Sequence, residues 1–388
     1  MKIGQFGESF IPIYDGVGRV MEAYANAQSK RGHEVYVITP QYETGWRGNF
    51  PYEIIDYYSL RFTKKWPYKI GWGSFDPHFV ARMKNVQLDI VHAHGPMLAG
   101  ELGMHYAHKN HIPIIGTFHT KFYDDILAFT KSKAIATLGA RKVAAFYDNC
   151  DARWAVSENA AETLREYGAK KEILIMPNGT TQRELHTELI PGIISEYKLR
   201  TDVPMILFVG RITFEKNLKA VLESCSLLKK KGMDFSLVFV GMGPDYNNVI
   251  KMAKNLDISD KLNMVGFIQD TKVLDCFYHL ASVFLFPSIF DNSPLVVREA
   301  AAMKTISLVI NGSSSAESIT DMVNGLKSEN TPESICEKLN TYFTLPENEK
   351  LTMKENAYKD IPVSWDGPLM DNILDKYQEL ITTFKKRT

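Results

Sequence analysis

Residues 281–303 read ASVFLFPSIFDNSPLVVREAAAM. Val283, Phe284, Leu285 and Phe286 form an apolar run of buried-strand length, and Pro287-Ser288 ends it with a turn signal. Asn292-Ser293-Pro294 reads as a helix start. Ser293 is the expected N-cap and Pro294 the expected first helical residue, because the N–H that proline lacks has no intrahelical partner there. A buried strand that delivers a loop, which delivers a helix N-terminus, is the repeating unit of an open α/β sheet. Such sheets bind ligands at the carboxyl ends of their strands, where free amides and the positive end of a helix dipole favour an anion.

Two acids bracket the same turn, Asp291 before the helix and Glu299 about one turn inside it, with seven residues between them. Carboxylates repel phosphate and accept from hydroxyls in pairs. The ligand implied by this turn therefore carries phosphates and vicinal diols together, as a nucleotide sugar does.

Working outward, the 388 residues exceed one typical core and imply two to three domains. An apolar content of 45% with 23% charged residues is that of a soluble globular chain, and a net charge of +0 supplies no global argument for nucleic acid as a partner. Cys150, Cys225, Cys276 and Cys336 are far apart, form no metal-ligand or redox spacing, and read as reduced thiols. Residues 1–6 begin directly as a strand, without a basic-then-apolar leader, and no apolar run approaches the length of a membrane span. A cytoplasmic location is the expectation, with any membrane met from outside.

The first half alternates strands and helices. A strand at 2–6 is followed by a loop carrying Gly16 and Gly18, a helix over 19–30 and a strand over 34–39. Residues 57–76 mix aromatics and bases, including Arg61, Lys64, Lys65, Trp66, Tyr68, Lys69 and Trp72, and read as a solvated surface loop, or as one that touches an acceptor or a membrane. Strands over 88–92 and 112–118 end beside His94 and His119, so both imidazoles belong at carboxyl ends of parallel strands; for His94 a structural and a functional role stand level. Residues 126–148 read as one long amphipathic helix with Lys131, Lys133, Arg141 and Lys142, which either covers the sheet or meets lipid. Pro177-Asn178-Gly179 then leads into a polar linker over 180–198.

The second half repeats the rhythm. The strand over 204–209 opens onto Gly210-Arg211 and, five residues on, Lys216, a reach that lets both cations converge on a diphosphate. Strands over 235–240 and 262–265 end at Gly241-Met242-Gly243 and Gly266-Phe267. Trp365 opens a closing helix.

Residues 287–303 resemble the signature of the retaining glycosyltransferases of family 4, in which Pro-Ser precedes an acid, seven residues and a Glu leading into a small-residue helix. This chain carries Asp291 where Glu is usual and Asn-Ser-Pro where Gly-Phe-Gly is commoner. The resemblance spans nearly the whole chain and implies the GT-B arrangement, two Rossmann-like domains facing across a cleft: residues 1–185, with a C-terminal helix in 365–388 crossing back to them, as acceptor domain, and residues 186–364 as donor domain. It assigns Asp291 and His119 to the donor sugar, Glu299 to the ribose, and Arg211 and Lys216 to the pyrophosphate. Gly16, Gly18, Gly241, Gly266, Phe267, Ser293, Pro294, Leu295 and Val296 complete the implied donor site. The implied chemistry is hexosyl transfer from a nucleotide sugar, UDP-glucose first and GDP-mannose as rival, to a glycan, lipid-linked or lipid hydroxyl. Configuration is retained and no metal or other cofactor takes part, Arg211, Lys216 and helix-terminal amides replacing a divalent ion. Peripheral contact with an anionic membrane goes with such acceptors. Two other readings are a sugar-nucleotide 2-epimerase, which the resemblance of the signature around Asp291 to Glu299 argues against, and a binding-only partner of a true transferase.

Overall fold

A computed structural model describes residues 1–13, 15–41, 48–61 and 68–386. The chain divides into two compact units, Met1–Thr181 with Ser364–Thr388, and Gln182–Val363. Each is built on a parallel sheet whose central strands, such as Ile114–Phe118 and Met205–Val209, are buried along their whole length, as strands covered by helices on both faces must be.

In the first unit the strands are β1 (Lys2–Phe6), β2 (Glu34–Pro40), β3 (Glu53–Tyr57), β4 (Ser59–Arg61), β5 (Lys69–Gly71), β6 (Ile90–Ala93), β7 (Ile114–Phe118), β8 (Ala152–Ala155) and β9 (Leu174–Ile175). Seven form one sheet in the order β3-β2-β1-β6-β7-β8-β9. Strand order therefore reverses between β1 and β6, where Gly4 is level with Val91. The helices are α1 (Gly16–Lys30), α2 (Pro77–Asn85), α3 (Leu98–Asn110), α4 (Phe122–Thr130), α5 (Lys133–Asn149) and α6 (Glu158–Glu166).

The second unit holds β10 (Met205–Val209), β11 (Ser236–Val240), β12 (Leu262–Gly266), β13 (Val283–Phe286), β14 (Ser307–Ile310) and β15 (Leu326–Ser328), in the order β12-β11-β10-β13-β14-β15. Its reversal falls between β10 and β13, with Leu207 level with Phe284. Around it lie α7 (Ile190–Glu196), α8 (Leu218–Lys230), α9 (Tyr246–Asn255), α10 (Thr271–Leu280), α11 (Leu295–Ala302), α12 (Pro332–Thr344) and α13 (Glu347–Asp360). The chain then returns to the first unit as α14 (Pro368–Lys385).

Four expectations need correction. The helix expected over 126–148 is two helices, because Lys131 takes a left-handed conformation (φ 55°) and Ser132 caps a new start by accepting from the Ile135 N–H at 3.4 Å. The helix expected from residue 19 begins at Gly16, where the Asp15 carboxylate accepts the Gly18 N–H at 2.7 Å. Within 57–76, β4 and β5 pair antiparallel instead of forming a loop; Lys64, Lys65 and Trp66 lie outside the described residues. Trp365 does not open the closing helix. It is buried ahead of it, and a Cβ on Gly179 would sit 2.5 Å from its ring, so only glycine lets the two meet.

That contact helps seat α14 in the first unit. Tyr377 on α14 reaches a buried polar network: its hydroxyl is hydrogen-bonded to His92 Nδ1, while His92 Nε2 lies 2.6 Å from Thr117 Oγ1. Gln28 Nε2 donates to the same hydroxyl at 3.4 Å.

Candidate functional site

The signature stretch meets the β10 loop at the strand-order reversal of the second unit. After β10, Gly210 leads through Arg211 into a 3-10 turn, Phe214–Lys216, and Asn217 in a left-handed conformation starts α8. Asn217 Nδ2 donates to the Pro287 carbonyl at 3.2 Å, which ties this turn to the loop after β13. Lys216 Nζ forms an ion pair with Asp291 Oδ1, and the buried Ser288 hydroxyl donates to Asp291 Oδ2. Asp291, one methylene shorter than the usual Glu, is thus held from both sides, while the Lys216 ammonium stands 5.8 Å above the Phe286 ring. Arg211 is exposed, and its guanidinium makes no ion pair among the described residues.

The helix start lies one residue later than expected. Pro294, not Ser293, is the N-cap, and α11 opens at Leu295 without a side-chain cap. The N–H groups of Leu295, Val296 and Val297 therefore have no intrahelical partner, and Leu295 and Val296 are only partly covered. With the helix dipole behind them, amides of this kind favour an anion, and Asp291, the partner of Lys216, stands four residues before them in the chain.

Glu299 follows one turn on and is almost fully buried. Its Oε1 accepts from Arg183 Nη2 at 2.7 Å and its Oε2 from the Tyr278 hydroxyl at 3.1 Å; the other edge of Arg183 pairs with Asp275. Burial raises the Asp275 carboxyl above the usual range, against the pull of Arg183.

Gly241 and Gly243 act through the backbone. At Gly241 (φ 139°) a Cβ would fall 1.9 Å from the Gly210 carbonyl oxygen, and at Gly243 one would fall 2.2 Å from that of Ile212. The loops after β10 and β11 close on each other main chain to main chain, with Ile212 N–H donating to Met242 O at 3.0 Å. Gly266 (φ 89°) accepts from the Gly241 N–H at 2.7 Å, with Phe267 exposed beside it.

His119, Gly16 and Gly18 belong to the first unit. Gly18 donates its N–H to Asp15, whereas nothing stands within 4 Å of where a Gly16 Cβ would be. His94 Nε2 lies 2.6 Å from Gln5 Oε1, so it carries the proton; His94 Nδ1 then accepts from His119 Nε2 at 3.1 Å. Burial pulls His119 down to about 3 and holds His92 and His94 well below the ordinary imidazole range, so all three are neutral near pH 7. For His94 this is a buried, fully engaged ring that orients His119.

Sequence reasoning missed Glu8. It follows β1 at the strand-order reversal of the first unit, and its Oε1 accepts the Ala99 N–H at 2.5 Å. Burial pushes its carboxyl up to about 7, opposed by backbone N–H groups of Ala99, Gly100 and Glu8 itself. The folded chain therefore holds this proton more tightly than the unfolded chain, and the stability it contributes is lost as pH rises from 4.5 through about 7. The three imidazoles act with opposite sign, their share being lost as pH falls below 6.5. Glu8→Gln keeps an oxygen for Ala99 and removes the titration. Thermal unfolding is expected to show this variant gaining more over the parent at pH 8 than at pH 5; equal shifts at both would show that Glu8 does not titrate in this range.

Among the described residues no helix is long and apolar enough to cross a membrane, and no group of three or more His, Cys, Asp or Glu is placed to hold a metal ion. All four cysteines are buried and unpaired.

Two parallel-sheet Rossmann-like domains, each with one reversal of strand order, are the architecture of the GT-B class. The family models Glycosyltransferase Family 4 and Glycosyl transferases group 1 match residues 14–182 and 191–360. The chain is 26% identical over 317 residues to the alpha-monoglucosyldiacylglycerol synthase of Streptococcus pneumoniae, covering 79% of this chain and 70% of that one. It is also 26% identical over 313 residues to the synthase of the same name from Acholeplasma laidlawii, covering 78% of each. Among solved structures, Anabaena HepE in complex with UDP and glucose superposes with a TM-score of 0.74 at 15% identity, over 97% of this chain and 99% of that one. The chain belongs to the family 4 type of GT-B glycosyltransferases.

Proposed function

We propose that this glycosyltransferase moves a hexose, with retention of configuration, from a UDP-sugar to a lipid hydroxyl and needs no metal. The observation that carries this reading is the Lys216–Asp291 pair, with the uncapped amides of α11 opening four residues after Asp291. Lys216, Arg211 and the amides of Leu295 to Val297 would bind the diphosphate and stabilise the charge that grows on it as the sugar leaves. Asp291 would orient the sugar through its hydroxyls, Glu299 would take the ribose, and Gly266-Phe267 would flank the base. The acceptor proton would pass to the departing diphosphate on the same face.

UDP-glucose is the first donor to test, in keeping with the names of the two synthases and the ligands of Anabaena HepE. Titration of the purified protein against UDP, GDP, ADP and their sugar conjugates comes first. Hydrolysis of the bound donor with Mg²⁺ and with EDTA follows, and then transfer to dioleoylglycerol in vesicles. EDTA-resistant release of glucose from UDP-glucose is the expected result. Turnover of GDP-mannose alone would replace the donor, loss of turnover in EDTA would remove metal independence, and binding without turnover or transfer would make the chain a binding-only partner.

A lipid acceptor requires a membrane contact, and α4 and α5 offer a surface for it. Phe129 is 80% exposed and Leu138 69%, with Ile135 between them and Lys131, Lys133, Arg141 and Lys142 around them, all exposed. Phe129→Ser with Leu138→Ser is expected to lower sedimentation with phosphatidylglycerol vesicles about tenfold while leaving nucleotide affinity unchanged. Equal sedimentation of parent and variant would remove this surface from the reading.

A further inference from the structure

We propose that Arg183 is a positioning residue for the nucleotide: one edge of its guanidinium fixes the Glu299 carboxylate to receive the ribose hydroxyls, and the other is anchored on Asp275. The proposal rests on the donor site described above and adds to it a residue from the start of the second unit, far from the signature in sequence.

The three charged side chains are each at least nine-tenths buried, that of Arg183 being only 7% exposed. Two carboxylates share one guanidinium, so the cluster carries an excess of negative charge in a place that water barely reaches. Such a site rejects phosphate and favours neutral hydrogen-bond donors, and the Tyr278 hydroxyl already supplies one to Glu299 Oε2. A ribose diol supplies two more without adding charge. Leu295, which opens α11, and Glu299 are one turn apart, about 6 Å along the helix axis. One nucleotide spans that separation between its 5′-phosphate and its 2′,3′-diol. The fork geometry matters: a guanidinium engages two carboxylates along fixed directions, which sets where the remaining lone pairs of Glu299 point. A long flexible acid left to itself would sample several rotamers.

The test compares UDP with 2′,3′-dideoxy-UDP by calorimetric titration. The parent is expected to prefer UDP by roughly 10- to 100-fold, from hydrogen bonds to a charged acceptor. Removing Arg183 alone leaves two buried carboxylates facing each other, so the main variant is Arg183→Met with Asp275→Asn, which keeps the net charge of the cluster. In it the preference is expected to fall to about threefold or less, while affinity for inorganic pyrophosphate stays unchanged. Arg183→Lys keeps the cation without the fork and is expected to lie between the two. A preference that survives in both variants, even with both ligands bound more weakly, would show an ion pair that only holds the fold and would overturn the proposal. A parent that binds UDP without distinguishing the dideoxy form would overturn the Glu299–ribose contact and this proposal while sparing the donor site. A parent that binds no nucleotide would overturn the functional reading as well.

Discussion

Lys216→Ala is expected to lower kcat/KM for the nucleotide sugar by about 10²- to 10³-fold, through a higher KM and a lower kcat together. Lys216 is the cation fixed at the reversal point of the second sheet. The 3-10 turn before α8 aims it, the hydrogen bond from Asn217 to Pro287 ties that turn to the β13 loop, and Asp291 holds its ammonium in place. On the proposed reading, removing it takes away a charge that would face the diphosphate in both ground and transition states. It also leaves the Asp291 carboxylate without its ion-pair partner, where it would repel the same phosphates, so the expected loss exceeds that of one favourable contact. Asp291→Ala is expected to differ in kind, lowering kcat with little change in KM, because its proposed partner in the reaction is the sugar. The double variant should fall well short of the product of the two single losses, since each single change strands the other's charge. Steady-state donor hydrolysis checks all three, and a change below about threefold in Lys216→Ala would remove this lysine from the site.

Gly241→Ala is expected to destabilise the second unit by roughly 2–5 kcal/mol, a fall in unfolding temperature of about 5–15 °C. Two costs add at this position. The backbone, at φ 139°, lies where residues with a side chain are strained, and the new methyl would lie 1.9 Å from the Gly210 carbonyl oxygen. That oxygen is main chain and cannot swing aside as a side chain can. The Gly210 N–H is itself bonded to Val240 O at 3.0 Å, so relief requires the β10 and β11 loops to separate, which carries Arg211 and Lys216 away from Asp291. Thermal unfolding of the full chain measures the loss; an unchanged midpoint would mean that the loops part at no cost. Nucleotide affinity should fall with stability.

Much of this was legible because local chemistry and tertiary structure agree. Residues 283–286 form β13 over the expected range, since four apolar residues closed by Pro-Ser have few other uses. The α11 start lies one residue later because Pro294 suits the extended N-cap conformation (φ −68°, ψ 121°) as well as the first helical turn. The break at Lys131 escaped the reading because no glycine or proline marks it. Gly241, expected beside the nucleotide, is required first by a backbone that approaches it from 31 residues earlier in the chain.

By itself the sequence determined the class of the protein: two parallel α/β units, the placement of Asp291, Lys216 and Glu299 near strand ends and helix starts, and a signature shared with family 4 glycosyltransferases. These follow from short-range rules, the period of apolar residues and the conformations open to Gly, Pro and Ser. Only the tertiary structure decided which charges meet. It pairs Lys216 with Asp291 across 75 positions and Arg183 with Asp275 across 92, and it joins buried His92, His94 and Gln5 to the partly covered His119. The physical reason is that a buried charge must find a partner wherever the fold brings one, and that choice depends on distances that no spacing along the chain encodes.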